Sequence, residues 1–263
     1  MLASQRDLFE MPREICYLNA ASYSPLALRT QEAGRAAVGR KGRPWTLDAS
    51  FVNAQHERAR AAAARVINAD PADVALVSSV SYGVATAAKL LTIARGTRVI
   101  VLENDHSSPV LEWRARADAQ GFIVETIRQP PDGDWTAAVL AAIERRAAPP
   151  VGLASISSVH WSDGGLIDIE KIGTALRRQG AVFLIDATQG AGVLWTGCQT
   201  GWSRDWQPKA STSRRDSAAC VYRPMSITTR PMPIAASRRW RGGSNFDVPA
   251  SHRVRLIAIP HKP

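Results

Sequence analysis

The stretch VFLIDATQGAGV, residues 182–193, sets a continuous apolar run against an abrupt polar stop. Residues 181–185 lack the in/out alternation of a strand with one wet face, so they read as a strand buried on both sides, the mark of a parallel sheet. The run closes on Asp186, Ala187, Thr188 and Gln189. Ligands of α/β sheets bind beyond the carboxyl ends of the strands, which makes this carboxylate and its neighbours a candidate site.

The same pattern recurs upstream. Residues 74–77, 98–102, 122–127 and 151–156 are further short apolar runs, and residues 51–67, 82–94, 109–119, 134–146 and 169–178 carry apolar residues at helical spacing. Strand and helix in alternation predict an α/β fold: a mainly parallel sheet with helices on both faces.

The residues after each run are polar. Ser78, Ser79, Val80 and Ser81 open into a helix, whose free N–H groups and dipole favour an anion such as phosphate. The second run ends in Glu103, Asn104, Asp105 and His106, and the fourth in Ser157, Ser158, Val159, His160 and Trp161. Each has a plain structural reading: hydroxylic residues cap helices, an Asp after a strand caps a turn, and a lone His is more often structural than catalytic. His160 and Asp163 form a conceivable acid/base pair, but the turn they occupy reads as structural. The combined signal is their convergence on one edge of one sheet.

Composition divides the chain near residue 194. Of 33 Lys and Arg, residues 194–263 hold ten Arg and two Lys against three Asp and no Glu, a net +9. The preceding 193 residues balance at 21 basic and 20 acidic, an ordinary enzyme profile rather than that of a nucleic-acid binder. Cys16, Cys198 and Cys220 form no CxxC pair and no disulfide framework, so neither zinc nor any other metal is expected and the expected compartment is the reducing cytoplasm. No signal-peptide core and no membrane-length apolar run is present, so no membrane partner is expected.

The order of these strand ends resembles the class V aminotransferase family of pyridoxal phosphate enzymes, which includes cysteine desulfurases, kynureninases and isopenicillin N epimerase-like proteins. YLNAASYSPLA (17–27) is similar to the family's opening segment, which lies against the active site. VALVSSVSYGVATAAKLL resembles its strand, phosphate loop and helix. VLENDHSSPVLEW resembles the stretch that supplies the ring stacked over the pyridine. SISSVHWSDGGLIDIEKI resembles the strand and turn before the cofactor aspartate, and the Asp-x-x-Gln ending of VFLIDATQGAGV is the most specific motif.

The resemblance implies a fold-type I large domain over residues 1–193 that binds pyridoxal 5'-phosphate. Asp186 would pair with the pyridine nitrogen and keep the ring an electron sink. His106 would lie over the ring face, Gln189 and Ser158 would bond the phenolic oxygen, and Val80 and Ser81 would cradle the phosphate. Many relatives carry Asn where Ser158 stands, and Gly or Thr in the loop that here holds Ser79 and Val80. The implied substrate is an amino acid acted on through an aldimine, and the implied assembly is a homodimer.

The pattern breaks beyond residue 193. The family's Schiff-base lysine is expected near residue 212, but only Lys209 and Lys262 follow Asp186, and Lys209 stands after Pro208 with no aromatic or His neighbour. Permissible codons for residues 205–215, read one frame over, spell Leu-Ala-Ala-Gln-Gly-Ile-Tyr-Lys-Ser-Pro-Arg, a family-like lysine loop. Residues 194–216 are therefore expected to be a shifted reading, with family-like sequence returning over 217–247. Residues 194–263 are expected to be a poorly ordered basic tail, and the small C-terminal domain is expected to be missing. On this reading the chain is truncated and impaired or inactive, and aminotransferase, lyase and epimerase chemistry stay open. The competing function is nucleic-acid binding by the tail, where arginines interleave with Trp202, Trp206 and Trp240. No repeat or amphipathic helix organises those residues, so nucleic acid is not the expected partner.

Overall fold

The computed structural model describes residues 4–192 and the backbone of 218–221. Cys198, Lys209, Lys262, the tail tryptophans and the stretch expected to be frame-shifted lie outside the described residues.

Among the described residues, five strands form one sheet: β1 (Arg98–Leu102), β2 (Ile123–Ile127), β3 (Val151–Ser157), β4 (Val182–Asp186) and β5 (Ala218–Val221), in the order β2-β1-β3-β4-β5. Every pairing is parallel. Four of the five expected runs are strands within one or two residues of the expected bounds. β5 falls in the segment where family-like sequence is expected to return and pairs with β4, Asp186 standing opposite Val221.

Residues 74–77 are not a strand. The 3-10 turn Pro71–Asp73, capped by Asp70, precedes them, and the carbonyl of Val74 accepts from Arg60 Nε at 2.8 Å, a bond that replaces a ladder partner. Val74 instead packs with Ala63, Ala64 and Ile67 in a small separate cluster. Those three belong to the end of α2 (Ala49–Val66) and its C-cap. An additional helix, α1 (Leu28–Lys41), buries no residue, which accounts for its weak apolar periodicity in the sequence.

Alternation along the strands sorts the core into two layers. Val99, Val101, Leu153, Val182 and Leu184 face α3 (Val80–Leu90) and α4 (Ser107–Gln120), with Trp113 buried in that layer. Ile100, Leu102, Ala154, Ile156, Phe183 and Ile185 face α5 (Trp135–Ile143) and α6 (Ile169–Arg178), with Trp135 buried there. Each fully buried aliphatic side chain contributes about 1.5–3 kcal/mol, so these layers supply most of the hydrophobic stabilisation.

The amino edge of the sheet is closed by a buried ion pair. Arg98 is bonded to Glu125, to the Pro149 carbonyl at 2.6 Å and to the Ala142 carbonyl at 3.0 Å, and Glu125 also meets Arg145 at 3.0 Å. This ties β1, β2 and α5 together on the side away from the polar strand ends. The direction in which successive strands are added to the sheet reverses between β1 and β3: β2 lies to one side of β1, β3 and β4 to the other. Such a switch point opens a crevice at the carboxyl edge, where connections diverge to opposite faces.

Candidate functional site

Asp186 ends β4 at that edge and is only 5% exposed. Burial pushes its carboxyl above the ordinary carboxylate range. The Thr188 hydroxyl beside it and the Thr188 amide, which donates to Oδ1 at 2.9 Å, oppose that shift; the Asp105 charge adds to it, and His106 works against it. The Thr188 hydroxyl closes no hydrogen bond of good geometry among the described residues. These influences bring Asp105, His106 and Asp186 into one electrostatic group, assembled from the ends of β1 and β4.

Ser158 follows β3. Its amide donates to the Asp186 carbonyl at 2.9 Å, and its carbonyl accepts from Ile167 at 3.1 Å. Its hydroxyl is buried with no partner among the described residues. A Cβ on Gly190 would lie 2.6 Å from that Oγ, so the glycine is what lets the β4 turn come this close. Gln189, in the same turn, is half-buried, and its side chain bonds no described residue.

The start of α3 is both a plain cap and an open donor set. Ser79 is the N-cap, its Oγ accepting from the Tyr82 amide at 3.0 Å. Val80 and Ser81 occupy the first two helical positions, whose N–H groups have no intrahelical acceptor. The Ser81 hydroxyl meets Ser108 Oγ at 2.9 Å, linking α3 to the start of α4.

His106 is the N-cap of α4. Its Nδ1 accepts from the Ser108 amide at 3.5 Å and lies 3.3 Å from Ser108 Oγ. Its backbone amide donates to Asp105 Oδ1 at 2.7 Å. Asp105 also takes both donors of Ser157, Oγ on Oδ1 at 2.6 Å and the amide on Oδ2 at 3.2 Å. Asn104, in the left-handed region at φ 55°, turns the chain so that its carbonyl accepts from Trp161 Nε1 at 2.7 Å. The half-exposed indole stands edge-on to the His106 ring, centroids 6.1 Å apart.

His160 and Asp163 are structural. The His160 ring is 1% exposed and stacks on Trp135, centroids 4.5 Å apart; Nε2 meets the Glu103 carbonyl at 2.9 Å and Nδ1 meets Asp163 at 3.0 Å. Asp163 also accepts from Trp135 Nε1, Gln129 Nε2 and the Gly165 amide. Burial alone would raise its carboxyl, but these donors and the His160 ring hold it below the ordinary value.

Of the expected residues, Val80, Ser81, His106, Ser158, Asp186 and Gln189 all lie at the carboxyl edge or at the helix start beside it. The segment 17–27 contributes no buried residue, and Leu18 is 88% exposed. Asp105, Ser108, Ser157, Thr188 and Trp161 join the site although no chemical role was assigned to them. Their types were visible at the strand ends, but the bonds between them depend on strand order. Among the described residues no cluster of His, Cys, Asp and Glu could hold a metal ion, and no helix is long and apolar enough to cross a membrane.

Comparison with known proteins finds relatives over part of the chain. Cysteine desulfurase IscS of Methylobacillus flagellatus is 26% identical over 169 residues, which is 63% of this chain and 40% of the relative. An uncharacterised aminotransferase, YcbU of Bacillus subtilis, is 30% identical over 138 residues, 52% of this chain and 35% of its own length. The chain thus spans well under half the length of these curated relatives. Among solved structures, a C-DES mutant with glycine covalently linked to its PLP cofactor superposes with a TM-score of 0.60 at 20% identity, covering 72% of this chain and 51% of that one. The cystine C-S lyase C-DES in complex with cysteine persulfide gives 0.56 at 21% identity, over 68% and 48% of the two chains. Residues 34–195, more than half of the chain, match the family model of class-V aminotransferases. The chain therefore belongs to the class V aminotransferase family, which depends on pyridoxal 5'-phosphate and has the fold-type I architecture seen here.

Proposed function

We propose that the described part of this chain binds pyridoxal 5'-phosphate at the carboxyl edge of its sheet for chemistry on an amino acid. The observation that carries the reading is the buried Asp186 carboxylate on the residue whose carbonyl accepts from the Ser158 amide, together with the Ser158 hydroxyl, which is buried with no partner among the described residues in a turn that Gly190 lets close. A buried carboxylate and an orphaned hydroxyl are each unfavourable unless a ligand satisfies them. A protonated pyridine nitrogen suits the first, and a phenolic oxygen suits the second.

When bound, the cofactor supplies an electron sink for a carbanion at the substrate Cα. The chain's own groups do the rest. Asp186 would hold a proton on the ring nitrogen, since a cation beside a carboxylate favours its charged form. Val80 and Ser81 give free amides and a hydroxyl to a phosphate at the positive end of α3. His106, carried on the α4 cap, would cover one ring face, while Ser158 and Gln189 would hold the phenolic edge. Reaction type, whether lyase, as in the C-S lyase and desulfurase relatives, or aminotransferase or epimerase, is left to groups outside these residues.

Homodimerisation, a cytoplasmic setting and impaired turnover belong to the same reading. The N-terminal part exposes Leu18, Tyr23, Val38 and Trp45, apolar area suited to a second copy. The three scattered cysteines suit a reducing compartment. Lys209, after Pro208, is the single lysine near the position where the family carries its reactive one, which supports weak turnover.

The test is a titration of the full-length chain with pyridoxal 5'-phosphate, followed by absorbance and by 31P resonance. Wild type is expected to bind saturably, and Asp186→Asn to lose about 1.5–3 kcal/mol, one or two orders of magnitude in affinity. Equal binding by both proteins, or none by wild type, would overturn the reading.

A further inference from the structure

Three side chains form a line from α3 to the His106 ring: Ser81 Oγ to Ser108 Oγ at 2.9 Å, then Ser108 Oγ to His106 Nδ1 at 3.3 Å. Ser108 is buried, whereas Ser81 and His106 are exposed at the two ends. Each hydroxyl has one proton to give, so the direction of the first bond constrains the second. The Ser108 amide aims at Nδ1, and in the neutral tautomer with its proton on Nε2 that nitrogen accepts from the Ser108 hydroxyl as well.

With no anion at the start of α3, Ser108 donates to His106 Nδ1 and accepts the Ser81 proton. Ser81 then turns only lone pairs toward the free amides of the helix end. An anion at that end requires the Ser81 proton. Ser81 must rotate to donate outward, Ser108 turns to donate to Ser81, and His106 Nδ1 loses its hydroxyl donor. The ring then keeps only the long 3.5 Å amide contact and its edge contact with Trp161.

We propose that Ser108 is a positioning residue that couples anion occupancy at the start of α3 to the hydrogen bond orienting the His106 ring. The proposal rests on the reading of α3 as the phosphate end of the cofactor site. It adds that filling this end loosens the imidazole, letting it settle on a ring that arrives with the phosphate. Ser81 and Ser108 exchange donor and acceptor roles, so no bond is lost between them.

The test uses the full-length chain labelled with 15N-histidine, with inorganic phosphate as the probe and 31P resonance to report binding. The His106 signal is assigned by its absence in His106→Asn. In wild type, phosphate is expected to move the Nδ1 resonance downfield, the direction for an unprotonated ring nitrogen losing a donor, with the same midpoint as binding. Ser108→Ala is expected to bind phosphate and lose that shift. An equal shift in Ser108→Ala and wild type would mean a through-space field and would sink the coupling, as would wild-type binding with Nδ1 unmoved. No phosphate binding by any of the proteins overturns the α3 reading itself, and the coupling with it.

Discussion

Asp105 and Ser157 face each other across the gap between the ends of β1 and β3, and both donors of Ser157 close on one carboxylate, Oγ at 2.6 Å and the amide at 3.2 Å. Ser157 is also the register partner of Asp186. One acidic side chain thus joins the loop that carries His106 to the strand beside the buried carboxylate, across the switch point of the sheet.

Removing that link is expected to destabilise the fold. A hydrogen bond to a charged group contributes about 1.5–3 kcal/mol, so Asp105→Ala and Ser157→Ala should each lower stability by an amount in that range. In a double-mutant cycle by urea denaturation, the two changes should be strongly non-additive. Additive losses would show that the two residues act separately.

Asp186 makes ligand-free stability fall with rising pH. Its folded proton affinity is raised above that of the unfolded chain, chiefly by burial. From the ordinary carboxylate range, about pH 4, up to the raised value, the folded state holds more protons, and the free energy of unfolding decreases as pH rises. Asp186→Asn removes this slope. Thermal unfolding without ligand should find the variant more stable than wild type at neutral pH and the difference gone below about pH 4; parallel Tm profiles would contradict the burial argument.

Gly190→Ala places a methyl 2.6 Å from Ser158 Oγ, in a turn with no slack. Overpacking of this kind costs about 1–3 kcal/mol. Ser158→Ala in the same chain removes the clashing oxygen and should recover part of the loss, as read by chemical denaturation. No recovery would place the strain in the backbone rather than at the hydroxyl.

Asp163 accepts four donors in the turn after β3, including the indole N–H of the fully buried Trp135 at 2.9 Å. Asp163→Ala leaves that donor without its acceptor and should cost about 1–3 kcal/mol. The carboxyl is held below its ordinary value, so its contribution is present above the unfolded value and is lost as pH falls through the lowered one. The stability gap between wild type and variant should therefore close in acid. A gap independent of pH would mean that the carboxylate charge has no part in it.

Much of the fold was legible in the residues because a parallel strand covered on both faces has to be apolar throughout. The runs at β1, β3 and β4 could be read with no knowledge of their neighbours, and α6 was expected at residues 169–178, as found. Where a segment buries little, the pattern is weak. α1 has no buried face, and Val74 sits in a loop whose carbonyl is held by an arginine side chain rather than a strand.

The candidate site divides in the same way. Sequence by itself determined which groups stand at the strand ends, because the polar stop after each apolar run is a local feature: Asp186 after β4, Ser158 after β3, His106 after β1, and the hydroxyls before α3. Tertiary structure alone decided which of them meet. The strand order β2-β1-β3-β4 sets Asp105 against Ser157, and α3 packed on α4 sets Ser81 against Ser108. Those contacts join residues 52 and 27 positions apart, and a hydrogen bond, unlike hydrophobic periodicity, leaves no trace in the spacing of the residues that make it.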